Sequence, residues 1–541
     1  MKVEDYYRNV LVPGNVAMSA IRRAGLFIDQ ERTKKQIEDW GKELVELEKF
    51  VEGEALKAGV VLKYSDAHAP NAEKLREFLY TAPRGLGLKV SKLTPTKLAS
   101  TDDDALMEYA SLGIPRDDDH PIVKAVLKIR SISKARSTHL MAYLRAVRSD
   151  GAIHPKFNWT LKTSRISADD PPVHQIPERA DKDVADKVKA VFVPRINPPP
   201  VPEDWDPRIH GSCFRWDISG AEAAIRAAML TFLFCSRPDP VAWEYVRLGK
   251  DLHSKTASLI YGVPDGTYKK GTMERDAVGK QTFFAKQYGA KWKTVQSTIR
   301  QKARIFLSDE ESIRISDAWD AGYPGLVELY EIDKMTVAKK GYVEDGYGRR
   351  RKVDLPEGVT FRGMKNGKTQ WDIKGVPAHL IDKNDEARRM LRYEMDHRFH
   401  VAANTPTQSM SASDAFWMLA YLNLGEYYPL ALPPMWEDQG LAFPEAADWV
   451  FHGGPGPGGK PFQVWHSNAV HDSGWGDFAP GRETFEAVGK TIWRRCRAIP
   501  FDWRIKADVP YRVELKVGPN MSQMFDYNKI ATKYGWEVLP E

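Results

Sequence analysis

The chain of 541 residues has 42% hydrophobic and 28% charged side chains, the balance of a globular protein with several lobes and a large buried core. A formal net charge of +6 admits an anionic partner without requiring one. Three scattered cysteines, Cys213, Cys235 and Cys496, exclude a disulfide framework and a CxxC zinc site. The N-terminus MKVEDYYRNVLVPG has no signal-peptide core, and no run reaches the roughly 18 apolar residues of a membrane span, so a cytoplasmic protein with no membrane partner is expected.

In chain order, Ile37, Trp40, Leu44, Leu47 and Val51 recur at helical spacing and predict a long charged helix from about Gln30 to Gly59. A turn-rich stretch follows, then a second helical block from Pro121 to about Val147; together they predict an elongated helical lobe. Phe157 to Pro194 alternates short extended pieces with proline breaks, and NPPPVPEDWDP is a surface loop by composition. The segment CFRWDI (213–218) reads as a short buried strand with a helix after it. Asp251 to Thr294 is helical apart from VPDGTYKKG, GYVEDGYGRRRKV (341–354) reads as a hairpin with a basic tip, and Asn404 to Leu424 is helical. VWHSNAVHDSGWGDF (464–478) predicts a strand, a tight turn and a return strand.

Transfer of a nucleotide from a triphosphate needs hard cations held by carboxylates close to the reacting phosphate. Asp217, at the end of CFRWDI, and Asp472, at the turn of NAVHDSG, are two such carboxylates on strand ends far apart in sequence. By itself an aspartate at a strand end is usually a turn residue. Lys280, Phe284 and Tyr288 in RDAVGKQTFFAKQYG are spaced four apart, within about an 80° arc of one helix face. A cation for phosphates, a ring for a base and a second ring with a hydroxyl suit a nucleotide; a core stripe with a solvated lysine is the plainer reading of that segment alone.

Taken together, these segments resemble the DNA polymerase I-like family A polymerases. WDISGAEAAIR resembles motif A, RDAVGKQTFFAKQYGA motif B and AVHDS motif C, in the family's order. RRAGLFID, STDDDAL, HPIVKAVLKIRSISKARSTHL, LKTSRISADDPPVHQIPER, KAVFVP, DLHSKTA, GYVEDGYGRRR, NTPTQ and VPYRVELKVGPN extend the resemblance over nearly the whole chain. It implies an α+β right-hand fold with a thumb, a palm built on an antiparallel sheet, and helical fingers. The expected division is a lead-in at 1–29, thumb at 30–155, first palm part at 156–238, fingers at 239–400 and second palm part at 401–541.

The same resemblance implies the roles. Asp217 and Asp472, with the carbonyl of Ile218, would hold two Mg2+ ions. Lys280 and His253 would contact the triphosphate, Phe284 would pack on the incoming nucleotide, and Tyr288 would stack on the template side. Glu222 would lie under the sugar C2′ and, through a hydrogen bond with Tyr288, exclude ribonucleotides. The plainer reading of Glu222 is an acidic residue at a helix N-terminus. Arg165 and Gln408 would read the minor groove, where acceptors recur for every correct pair. His471 would contact the primer terminus, and Arg349, Arg350 and Arg351 would hold phosphates or form a solvated hairpin tip. Primer-template DNA and dNTPs are the implied partners of a monomer.

Three departures stand out. Asp276 occupies the place of motif B's usual arginine; Arg275, one residue earlier and about 140° off an unbroken helix face, is the candidate dNTP contact there, with Lys269 or Lys270 as the alternative cation. Ala223 and Ala224 follow Glu222 where an arginine is usual, and Arg226 comes later. Ser473 replaces the usual glutamate of motif C. With the thumb motif opening near residue 22, no 3′→5′ exonuclease domain is expected, proofreading would come from a separate polypeptide, and the compact module has a bacteriophage style. A single-subunit RNA polymerase and a catalytically silent primer-template clamp are the alternatives; Glu222 argues against the first, and Asp217, Asp472 and Lys280 against the second. GPGPGGK is no phosphate loop, because Pro461 replaces the Ser or Thr that would reach Mg2+.

Overall fold

The computed structural model describes residues 3–94, 96–110, 118–158, 165–176, 181–303, 305–382, 384–424, 451–452, 460–470, 472–497 and 511–540. Helix α1 (Val12–Ala24) buries Ala17, Met18 and Ile21. Helix α2 (Gln30–Lys57) starts at the Asp29 cap, whose carboxylate accepts from the Arg32 amide, and buries Trp40, Leu44 and Val51 along one stripe. It packs with α3 (Ala72–Tyr80) and α4 (Pro121–Lys134) around a core that includes Phe78, Val126 and Ile129. The helical block continues from α4 through a π-turn at Ala135–Leu140. The proline-broken stretch holds one helix that apolar periodicity did not mark, Lys182–Lys189, capped by Asp181, whose carboxylate also pairs with Lys128 of α4 at 3.1 Å.

Strand β1 (Ser212–Ile218) lies at the centre of a five-stranded sheet. Side chains alternate along it, so Phe214, Trp216 and Ile218 enter one core while Cys213 enters the core of the helical lobe. The sheet is therefore the wall shared by both cores. Beyond it the chain forms α5 (Leu252–Tyr261), α6 (Lys280–Lys286), α7 (Trp292–Ala303), α8 (Asp309–Gly322) and α9 (Pro324–Lys340). Helix α8 opens with a full capping box between Ser308 and Glu311. The hairpin β2 (Tyr342–Glu344) and β3 (Arg350–Lys352) follows as expected. Three short strands come next: β4 (Val359–Lys365), β5 (Lys368–Ile373) and β6 (Val376–Pro377).

Helix α10 (Glu386–Asn423) starts well before the expected Asn404. Pro406 lies inside the helix, where the Thr405 hydroxyl turns back to the Val401 carbonyl at 2.7 Å. One helix thus crosses the expected boundary at residue 400. The sheet is completed by β7 (Val464–Val470), β8 (Ser473–Phe478), β9 (Val513–Gly518) and β10 (Phe525–Asp526), in the antiparallel order β7-β8-β1-β9-β10. Helices α11 (Arg482–Arg497) and α12 (Tyr527–Tyr534) cover it. The N-terminal residues are part of this body: Tyr6 is buried and hydrogen-bonded to Ser413 of α10 at 2.9 Å.

The spelling SGWGDF of β8 has a packing cause. A Cβ at Gly474 would collide with the Trp216 ring and the His466 imidazole, and one at Gly476 with the Phe214 ring. The two glycines make room for the two large rings of β1. Gly474→Ala is expected to cost about 1–3 kcal/mol through overpacking. A lower midpoint in urea with an unchanged slope is the predicted result.

Candidate active site

The antiparallel register sets Ser473 of β8 opposite Asp217 of β1, and Glu514 of β9 on its other side. The Ile218 amide donates to the Asp472 carbonyl at 3.0 Å, which fixes the two aspartates at one end of adjacent strands. Burial, followed by the charge of Asp217 beside it, pushes the Asp472 carboxyl up to about 7. Arg215 approaches Asp217 at 3.7 Å. Two carboxylates held together against their repulsion, plus a backbone carbonyl, form a hard-oxygen donor set of the kind Mg2+ takes with substrate phosphates. Among the described residues no group of three or more His, Cys, Asp or Glu side chains forms a metal cage. His471 lies outside the described residues.

Motif B enters through a π-turn, Glu274–Gly279, before α6 begins at Lys280. Gly279 is required there, since a Cβ would run into the His253 carbonyl and Ala257 of α5. This close approach brings the His253 ring to 5.3 Å from Phe284, while the Lys280 ammonium sits 6.0 Å from the same ring. Lys280, Phe284 and His253 are thus brought together as expected. Burial and the neighbouring Arg275 charge hold His253 down at about 4, so it is a neutral imidazole at physiological pH.

The π-turn also bears on Arg275. Its i→i+5 bonding brings residues five apart closer to one face than an α-helix does. The guanidinium is nevertheless committed: it forks onto both oxygens of Asp251 at 2.9 and 3.0 Å and bonds Asp276. Asp251 in turn caps α5 by accepting from the His253 and Ser254 amides. Arg275 is placed as the brace of the helix that carries His253.

Tyr288 departs from the expected helix face. Helix α6 ends at Lys286, and Tyr288 lies in the turn before Gly289, whose φ is +83°. Its hydroxyl donates to Glu222 Oε2 at 3.1 Å. Gln408 Nε2 donates to Glu222 Oε1 at 2.7 Å, and Arg165 Nη2 pairs with the same oxygen. Arg165, Tyr288 and Gln408 therefore converge on one carboxylate, itself close enough to raise the Asp472 pKa further.

The hairpin arginines do not form one cluster. Arg349 donates to the Tyr6 hydroxyl at 3.1 Å and lies over its ring; Arg350 is exposed and pairs with Glu344 at 2.7 Å; Arg351 donates to Thr405 at 2.8 Å. Sequence reasoning missed the buried pair of Arg226 with Asp333, whose partners stand 107 positions apart. No local pattern marks such a pair.

The family model of DNA polymerase family A matches residues 31–420. DNA polymerase I of Synechocystis sp. is 27% identical over 329 residues, covering 60% of this chain and 28% of that protein. The thermostable DNA polymerase I of Thermus caldophilus is 27% identical over 328 residues, covering 58% of this chain and 35% of its own. The chain thus spans about a third or less of the curated relatives it is set beside. In fold it is similar to the POL domain of Pol1 from M. smegmatis, a structure in complex with DNA primer-template and dNTP. The TM-score is 0.64 at 18% identity, over 95% of this chain and 70% of that one. The match of the family model across most of the chain, on a fold that assembles motifs A and B around one carboxylate site, shows that this protein belongs to DNA polymerase family A.

Proposed function

We propose that the chain is a template-directed DNA polymerase that adds dNTPs to a primer 3′-hydroxyl by two-metal-ion phosphoryl transfer. The observation that carries this reading is the placement of Asp217 and Asp472 side by side at the ends of adjacent strands, at the edge of the Glu222, Tyr288, Arg165 and Gln408 network. Two Mg2+ ions on Asp217, Asp472 and the Ile218 carbonyl would activate the primer hydroxyl and neutralise the leaving pyrophosphate. Lys280 supplies a positive charge for the triphosphate, and neutral His253 an N–H donor beside it. Phe284 offers an apolar face for the nucleotide. Glu222 and Tyr288 form the sugar gate. Arg165 and Gln408 reach the minor groove of the nascent pair by releasing Glu222. Arg350, on the surface, is suited to a template phosphate; Arg349 stabilises the N-terminal segment against the hairpin.

In this reading residues 30–155 are the thumb, β1 and its sheet partners the palm, and 239–400 the fingers, with α10 joining fingers to palm. Primer-template DNA and dNTPs are the partners. The relatives named above are bacterial; the bacteriophage style, monomeric state, cytoplasmic location and separate proofreading polypeptide rest on the sequence alone. An RNA polymerase is disfavoured by the occupied Glu222–Tyr288 gate.

Primer extension on a defined template should proceed with wild type, Mg2+ and dNTPs and stop in Asp472→Ala. Wild-type protein that binds primer-template tightly without extending it would instead favour the silent clamp. Phe284 has no hydroxyl to replace a missing 3′-OH bond, so dideoxynucleotides should be poor substrates and Phe284→Tyr should relax that discrimination. Equal use of terminators by both proteins would contradict the placement of Phe284 at the sugar.

A pH dependence follows from Asp472. Its folded pKa of about 7 lies above the ordinary carboxylate value of roughly 4, so the protonated form favours the fold. This contribution is full below the ordinary value and is lost as pH rises toward 7 in metal-free protein. A bound Mg2+ replaces the proton. The gain in thermal midpoint from Mg2+ should therefore be larger above pH 7 than below it, and Asp472→Asn should flatten the dependence. A gain independent of pH in wild type would count against a shared metal site.

A further inference from the structure

Arg226 lies four residues after Glu222 and is fully buried. A guanidinium out of water is destabilising unless its charge and donors are met. Here Nη2 donates to Asp333 Oδ2 on α9 at 2.6 Å, and Nε donates to the backbone carbonyl of Gln287 at 3.1 Å. Gln287 closes the C-terminal end of α6, where a helix leaves carbonyls without intrahelical donors and a cation is favoured by the dipole. It is also the residue before Tyr288.

One short segment of motif A thus holds the same tyrosine twice. Glu222 takes its hydroxyl, and Arg226 takes the peptide that precedes it. The next residue is fixed as well. Gly289 has φ +83°, the Tyr330 ring of α9 fills the place a Cβ would occupy, and His400 of α10 is hydrogen-bonded to its backbone. Helix α9 therefore contributes both Asp333 and Tyr330 to this turn.

We infer that Arg226, held by Asp333, is the positioning residue that pins Tyr288 against Glu222 and so sets the discrimination between ribose and deoxyribose. A carboxylate excludes a 2′-hydroxyl only if it and its tyrosine cannot retreat. Displacement of a positioned group by about 1 Å is enough to change rates on the order of a hundredfold. The Arg226 bond to the Gln287 carbonyl adds a hold on the backbone beside Tyr288 that its side-chain hydrogen bond does not supply. This rests on the reading of Glu222 as the sugar gate. The arginine stands outside the place where motif A usually carries one, and serves the gate from a buried position.

The test is single-nucleotide incorporation with dNTP and rNTP, giving kcat and KM for each, alongside thermal midpoints. The variants are Arg226→Lys, the apolar pair Arg226→Met/Asp333→Leu, Glu222→Ala, and the combination of Glu222→Ala with the apolar pair. Replacing both partners of a buried ion pair by apolar residues is tolerated far better than removing one, so the pair variant is expected to fold. Should it fail to fold, Asp333→Asn, which keeps the side-chain volume, carries the same measurement. The expected result is a dNTP-over-rNTP ratio of kcat/KM reduced by about tenfold or more. Arg226→Lys should shift it in the same direction, because an ammonium cannot fork between Asp333 and the carbonyl. Adding the pair variant to Glu222→Ala should bring no further loss, as for groups acting through one element.

Unchanged discrimination in a folded pair variant, equal losses with both sugars, or effects that add to Glu222→Ala would each overturn the role of Arg226. If Glu222→Ala itself leaves discrimination intact, the gate reading fails first and Arg226 has nothing to position. If Glu222→Ala relaxes it and the Arg226 variants do not, only the present inference falls.

Discussion

The pairing of β1 with β8 is the constraint on which the site depends. Carboxylates repel one another and each loses solvation when buried, so neither Asp217 nor Asp472 would choose the other as neighbour. The ladder imposes the contact: Ser473 pairs with Asp217, and the Ile218 amide is bonded to the Asp472 carbonyl. A slip by one residue would turn Asp217 into the core and Trp216 out of it. The glycines of β8 make that slip costly, because only Gly474 and Gly476 leave room for Trp216 and Phe214. Packing on one face of the sheet thereby fixes the electrostatics at its end, where burial and the Asp217 charge raise the Asp472 pKa.

Around this edge, charge is handled in two ways. Glu222 is partly exposed and is met by three donors from three parts of the chain, Arg165, Tyr288 and Gln408. Arg165 and Glu222 are only partly buried, so solvent can reach the pair. Arg226 and Asp333 face inward, with the arginine fully buried and no solvent competing. The partly exposed network suits recognition, and the buried one suits alignment. The short helix α6 lies between the two, with Lys280 and Phe284 toward His253 and its end tied to Arg226.

The long helix α10 links these regions. It carries Gln408 to the Glu222 carboxylate, His400 to the Gly289 turn, and Asp414 to the buried hydroxyl of Tyr347 at 2.6 Å. Asp414 also accepts from Tyr511, just before β9. A displacement of α10 would reach Glu222 through Gln408, Arg351 of the hairpin through Thr405, and the sheet through Asp414 and Tyr511. Pro406 is accommodated mid-helix without ending it, and the helix starts at Glu386, well before the expected Asn404.

Much of this was legible in the sequence wherever local chemistry decides it. The stripe of Trp40, Leu44 and Val51 predicts α2, CFRWDI predicts β1, and the turn at Asp472 predicts the β7–β8 hairpin, because periodicity and turn residues report burial and reversal directly. Ordered short motifs singled out Asp217, Lys280, Phe284, Tyr288 and Glu222, and the structure brings Tyr288 to Glu222 and Lys280 to Phe284. What only the tertiary structure decided are the partners of charges. Arg275 is taken up by Asp251, Arg349 by Tyr6, and Arg226 by Asp333 and a carbonyl at the end of another helix. The energy of a buried ion pair depends on distance and on the exclusion of water, and neither is written in the spacing of residues along the chain.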